Sequence, residues 1–136
     1  MQKGFTLIEL LMSIAIIAIL STFVLGGLNT ARGKGEDSKI KSQLNGLRTA
    51  AASYNTLNGN FSVASDCASG MFVDSELSMS QYSNQANYPV GTILKCSANN
   101  SSFAASANLK GGGYWCVDAS GSRYLDTDPG FVNICP

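Results

Sequence analysis

Residues 5–28, FTLIELLMSIAIIAILSTFVLGGL, form an apolar run of 24 residues that holds one charge, Glu9. As an α-helix rising ~1.5 Å per residue it is roughly 36 Å long, enough to cross a hydrocarbon core of ~30 Å. A cleaved secretory signal has a basic leader, an apolar core of about 7–15 residues and an A-x-A-like site. This run is longer, no A-x-A follows it, and only Met1-Gln2-Lys3-Gly4 precede it. The helix is therefore expected to stay in the mature chain.

The helical pattern continues past the apolar run. Ile40, Leu44, Leu47, Ala51 and Tyr54 recur at steps of four and three, one face of a helix, with Lys41, Gln43, Asn45 and Arg48 between them. Asn58-Gly59-Asn60 supplies a stop, because Gly and Asn accept the left-handed conformation after a last turn. One helix over about residues 5–57 follows, with a bend expected at Gly26-Gly27 or at Gly33 and Gly35. Residues 61–89, rich in Ser, Asn, Asp and Gly, read as a surface loop holding Cys67, with a short helix near 75–81. Strand signals follow at 91–95, 102–109, 114–118 and 123–125, with Lys110-Gly111-Gly112-Gly113 and Ser120-Gly121 as turns. The tail, 126–136, reads as loop with Phe131, Val132 and Ile134 as anchors. The fold class is α+β: a long N-terminal helix, apolar in its first half and amphipathic in its second, packed on a small antiparallel sheet of three or four strands.

Composition excludes several functions. Histidine is absent and the formal net charge is zero. That removes His-paired nucleophiles and His-based metal sites, and it leaves no electrostatic footprint for nucleic acid. No arrangement of carboxylates or lysines suggests catalysis, so no enzyme, cofactor or metal centre is expected. Charged residues make up 13% of the chain against a usual share of about a quarter, which fits a surface meant to be covered. The four cysteines, Cys67, Cys96, Cys116 and Cys135, contain no CxxC pair, so a zinc site is disfavoured. An even count behind a membrane-directing segment reads as two disulfides in an oxidising compartment. Four cysteines allow three pairings, and sequence does not choose among them. The sequential one, Cys67–Cys96 and Cys116–Cys135, is favoured because it closes the loop and the tail separately. Arg32, Lys34, Lys39 and Lys41 beyond the run would by charge alone place the C-terminal part in the cytoplasm. The cysteines argue the opposite and carry more weight.

Lys3-Gly4-Phe5-Thr6-Leu7-Ile8-Glu9-Leu10 resembles the processing signature of type IV pilins and type II secretion pseudopilins. The resemblance covers about residues 1–28 and continues in layout through the rest of the chain. It implies that residues 1–4 are a leader removed by a prepilin peptidase after Gly4, and that the new N-terminus, Phe5, is methylated. A carboxylate in an apolar helix costs on the order of 3 kcal/mol at mid-membrane, less near the interface, so Glu9 is a functional candidate by default. In a bundle of staggered helices Glu9 of one subunit can pair with the Phe5 amine of another, selecting register more than adding strength. The sequence departs from many type IV pilins in carrying Gly26 where they have a helix-loosening proline.

The resemblance implies a homo-oligomeric helical filament. The subunit would wait in the bacterial inner membrane, single-pass with its N-terminus inside, before an assembly ATPase and platform extract it into an extracellular pilus. The parts are then residues 1–4 (leader), 5–28 (membrane and filament-core helix), 29–58 (amphipathic half-helix) and 59–136 (globular domain). The rivals are a pseudopilin of a secretion system, a minor pilin acting as a binding or DNA-uptake module, and a plain membrane-anchored domain. Glu9 disfavours the last, and the balanced charge gives DNA uptake no support. Asp126-Thr127-Asp128 with Asp118 has the chemistry of a calcium ligand set, but a polar turn is the favoured reading. Tyr114-Trp115 reads as sheet packing.

Overall fold

A computed structural model describes Met1 and residues 4–136; Gln2 and Lys3, the basic residue of the expected leader, lie outside the described residues. The chain divides into two compact units, Met1–Gly33 and Lys34–Pro136. The first is built on the start of helix α1 (Leu7–Asn58), and every residue from Gly4 to Arg32 is exposed. Helix α1 is continuous through Gly26, Gly27, Gly33 and Gly35, so the glycines expected to bend it do not interrupt it. Glycine weakens a helix by ~1 kcal/mol but, unlike proline, keeps the N–H that the ladder needs.

In the second unit the expected helical stripe is the buried one. Ile40, Leu44 and Leu47 are fully buried with Ala50 and Ala51, and Tyr54 packs at the margin of the same core. The helix ends at Asn58, where Gly59 turns left-handed (φ +76°) and its N–H reaches the Asn55 carbonyl at 2.8 Å. The loop that follows is ordered by short pieces: a 3-10 turn at Gly70–Val73, helix α2 (Met79–Ser83) and a second 3-10 turn at Gln85–Asn87. The helix expected over 75–81 starts instead at Met79. Asp74 accepts the Leu77 amide (3.0 Å), and Ser78 takes φ +59°, which a continuing helix cannot accommodate. Met71, Phe72 and Met79 then enter the core fully buried.

Four antiparallel strands stand in the order β1-β2-β3-β4: β1 (Leu94–Ala98), β2 (Phe103–Asn108), β3 (Tyr114–Asp118) and β4 (Ser122–Leu125). The first strand is displaced from the expected 91–95. Residues 89–92 close a turn, with the Thr92 N–H on the Pro89 carbonyl at 3.0 Å and Gly91 at φ +82°, as a type II turn requires. The register Cys96↔Ala105↔Val117 points one face of the sheet at α1, where Leu94, Ala98, Phe103 and Ala107 join the core. Phe61 tilts against Phe103 with ring centroids 5.0 Å apart.

The opposite face is covered as well. Ala104, Cys116 and Cys135 form a second buried cluster with Leu125 and Val132 beside it. Strand β2 is thus buried on both faces, and its outward positions Ala104 and Ser106 are small, with Ala104 packed against Cys135 of the C-terminal tail.

Candidate assembly site

The Gly4–Phe5 peptide lies before the first turn of α1. Residues 4–6 are non-helical and exposed, and a Cβ placed on Gly4 would meet nothing within 4 Å. An exposed, non-helical segment of this kind is open to proteolysis. Thr6 and Glu9 then start the helix with a capping box. Glu9 Oε2 accepts the Thr6 N–H (3.0 Å) and the Thr6 hydroxyl (2.8 Å), while the Glu9 N–H points back to Thr6 Oγ1 at 3.4 Å. This pattern satisfies orphan donors at a helix start, and it puts the carboxylate at the positive end of the helix dipole.

The other polar side chains of the apolar run are satisfied internally. Ser13 donates to the Glu9 carbonyl (2.8 Å), Ser21 to that of Ile17 (2.8 Å) and Thr22 to that of Ile19 (2.7 Å). With Thr6 and Glu9 these are all the polar side chains of residues 5–28. The three hydroxyls Ser13, Ser21 and Thr22 thus need no water, which suits residence in lipid or among packed apolar helices.

In the second unit the structure joins Cys67 to Cys96 and Cys116 to Cys135, with S–S distances of 2.03 and 2.09 Å. The first ties the loop to β1 and the second ties the tail to β3. The tail is held by polar contacts: Lys95 to Asp128 at 2.5 Å, Ser97 Oγ to Asn133 Oδ1 at 2.6 Å, and the Cys135 amide to Asp118 Oδ2 at 2.9 Å. Of the expected anchors only Val132 packs inward; Phe131 and Ile134 are exposed. Hydrogen bonds and a disulfide fix this segment, leaving those apolar side chains free to face outward.

Asp118 is the most heavily bonded carboxylate. Its Oδ1 accepts the Ser120 amide (2.8 Å), the Ser120 hydroxyl (2.6 Å) and the Gly121 amide (3.0 Å). Burial pushes its pKa up, but the hydrogen bonds from Ser120, Cys135 and Gly121 together outweigh it and hold the carboxyl below the ordinary aspartate value. Asp128 is also lowered, first by the Lys95 hydrogen bond and then by the Gly130 amide. Arg48 of α1 grips the same turn from the helix side, through Nε to the Asp118 carbonyl at 3.0 Å. Asp118 and Asp128 are thus engaged with separate partners. Among the described residues no group of three acidic, His or Cys side chains is placed to hold a metal ion. Trp115 packs against the core and carries the Lys41 ammonium 4.8 Å from its ring centroid.

Two features went unread in the sequence. The capping box had a signal, Thr6-x-x-Glu9 opening an apolar run. The polar contacts of the tail over the sheet had none, since they join residues far apart in the chain; only the favoured Cys116–Cys135 pairing pointed to that strap.

Residues 1–25 match the family model of the prokaryotic N-terminal methylation motif. Over 113 residues the chain is 33% identical to the type IV wide pilus major component PilA4 of Thermus thermophilus, covering 83% of this chain and 78% of that one. No solved structure matches it.

Proposed function

The chain belongs to the type IV pilin family, and on that premise we propose that it builds an extracellular filament through its N-terminal helix. It is a structural subunit, a pilin. The observation that carries the reading is the helix over residues 7–28, apolar, exposed on all sides, with its hydroxyls bonded to its own backbone and Glu9 as its one charge. Such a surface must be covered. Lipid covers it in the anchored precursor, and neighbouring copies cover it in the filament.

A prepilin peptidase cuts after Gly4 and Phe5 becomes the methylated N-terminus. Glu9 then pairs with the Phe5 amine of a neighbour and sets the stagger between copies. The precursor lies in the inner membrane with its first residues inside. Residues 59–136 and both disulfides lie outside, and the assembly ATPase and its platform supply the extraction. The likeness to a pilus major component supports this over a secretion-system pseudopilin or a DNA-uptake module. Intact mass of protein sheared from the cell surface tests it: the chain should lack residues 1–4 and carry one added methyl group. Retention of Met1, or a cut beyond Leu28, would overturn the reading.

A further inference from the structure

We propose that a cleft on the second unit, between helix α1 and the Phe61–Phe103 ring pair, binds an acidic sugar, with Arg48 as the side chain that receives its carboxylate. The cleft lies wholly within Lys34–Pro136.

Arg48, Thr49, Ala52, Asn55 and Thr56 recur at the spacing of one helical face, so α1 brings them into a single stripe. Phe61, Phe103 and the β3–β4 turn at Ala119 complete the walls around a space of about 390 Å³. Small-ligand sites run from about 300 to 1,000 Å³.

Arg48 carries the charge that selects the ligand. Its Nε and Nη2 donate to the Asp118 and Ala119 carbonyls at 3.0 and 3.4 Å. Nη1 makes no hydrogen bond among the described residues, and no described carboxylate forms an ion pair with the group. The guanidinium is thus half-buried, held in place by two neutral carbonyls, and its charge is unanswered. A planar guanidinium presents its donors in a fork that matches a carboxylate. No other charged side chain lines the cleft, so nothing in its walls repels an anion.

The remaining walls specify what bears the carboxylate. Thr49 and Thr56 give their hydroxyl protons to the Asn45 and Ala52 carbonyls at 3.1 and 2.9 Å, which leaves their oxygens to accept. The Asn55 side-chain amide makes no hydrogen bond among the described residues, so it can both donate and accept. Phe61 and Phe103, with ring centroids 5.0 Å apart, and the Ala52 methyl group form the apolar side. A ring with hydroxyls on its edge, CH groups on its face and one carboxylate meets all three kinds of wall. Inorganic phosphate would answer Arg48 and leave the apolar side bare. A neutral sugar would cover the apolar side and leave Arg48 unanswered.

The test titrates the full 136-residue chain, isotope-labelled and held in a polyoxyethylene detergent that contains no sugar, with methyl glucuronide, methyl glucoside and inorganic phosphate. Nitrogen–proton NMR reads the Arg48 Nε–H and Asn55 amide signals. The glucuronide should shift both saturably. The glucoside and phosphate should each bind about tenfold more weakly or worse, since a hydrogen bond to a charged group is worth that much. Two variants on the outer side of α1 leave the Arg48 clamp untouched. Asn55→Asp puts a carboxylate in the cleft, and Ala52→Phe, at an exposed position, plugs it. Each should keep the parent's melting temperature and weaken glucuronide binding by about tenfold or more; if one fails to fold, the other decides. No saturable shift with the glucuronide overturns the proposal, as does parent-like binding in a folded variant. A glucoside that binds as tightly makes this a neutral-sugar site, and phosphate that binds as tightly makes it an anion site only; either result overturns the acidic-sugar assignment.

Discussion

Asp118 and Cys135, 17 residues apart, are joined by a 2.9 Å hydrogen bond from the Cys135 amide to the buried carboxylate, next to the disulfide that ties Cys135 to Cys116. One oxygen of Asp118 organises the β3–β4 turn and the other holds the tail. The tail's place over the sheet thus depends on a group that titrates.

Asp118→Asn keeps an oxygen for Ser120 and Gly121 but turns an NH₂ toward the Cys135 amide, donor against donor. The expected cost is about 1–3 kcal/mol, the penalty for a buried polar group left unpaired. It is read from urea unfolding of the full chain in detergent. The pH dependence follows from the lowered carboxyl. The unfolded state binds the proton more readily than the native state, so acid favours unfolding. The contribution is complete above about pH 4, the unfolded value, and is lost as pH falls through the native one. Asp118→Asn should flatten that acid limb, and an unchanged limb would show that other carboxylates carry it.

The two disulfides close loops of similar size, with sequence separations of 29 and 19 residues. In the chain-entropy model each contributes about 3 kcal/mol. Cys67→Ser with Cys96→Ser, and Cys116→Ser with Cys135→Ser, should therefore lower stability by similar amounts. They should differ in coupling. Loss of the second pair frees the segment that Asp118 holds, so its cost and that of Asp118→Asn should fall short of adding. Loss of the first pair should add to Asp118→Asn. A double-mutant cycle on unfolding free energies reads both, and additivity in the second case would separate the hydrogen bond from the disulfide.

Two glycines of α1 should respond oppositely to alanine. At Gly35 a Cβ meets nothing within 4 Å, so Gly35→Ala should stabilise by about 0.5–1 kcal/mol through helix propensity. At Gly46 a Cβ would lie 2.5 Å from the Tyr82 ring, which packs directly on the helix there. The Tyr82 ring is itself packed against the core, so moving it aside gives up those contacts. Overpacking costs about 1–3 kcal/mol, so Gly46→Ala should destabilise despite its better propensity. Thermal melts of the two variants against the parent give the signs.

How far the sequence foretold these features follows their range along the chain. The stripe Ile40, Leu44, Leu47, Ala51 was legible because helical period alone selects it, and Gly59 because one backbone angle ends the helix. Strand β3 matched at both ends, and β2 and β4 to within a residue, since Gly-rich turns bound them. Strand β1 was read three residues early: Gly91 is compatible with a strand start until the Pro89–Thr92 hydrogen bond assigns it to a turn. The tail was read by hydrophobicity, which pointed to Phe131, Val132 and Ile134, of which only Val132 packs inward. Its polar anchors, Asp128, Asn133 and the Cys135 amide, work through partners on distant strands that no local pattern reveals, whereas the Cys116–Cys135 bond is the pairing the sequence favoured. At the N-terminus the sequence singled out Gly4, Phe5 and Glu9 as candidates and overlooked the local role of Glu9 as partner of Thr6.

That local role separates two functions of Glu9. Glutamine also serves at this position of a capping box, so Glu9→Gln should preserve the helix start while deleting the charge. Thr6→Val does the reverse: it removes the capping hydroxyl that Glu9 accepts at 2.8 Å and keeps the carboxylate. If pairing with a neighbour's Phe5 amine sets the filament register, Glu9→Gln should leave membrane insertion and cleavage normal and make filaments scarce. The unpaired amine, buried without its counter-charge, costs about 3–5 kcal/mol per subunit. Thr6→Val should fray the first turn at a cost of about 1 kcal/mol and leave filament yield much closer to the parent. The measurement compares processed subunit in the membrane with sheared filament for the parent and both variants. A normal yield from Glu9→Gln beside a poor one from Thr6→Val would reduce Glu9 to a capping residue, and the stagger between copies would then have to be set elsewhere on the helix.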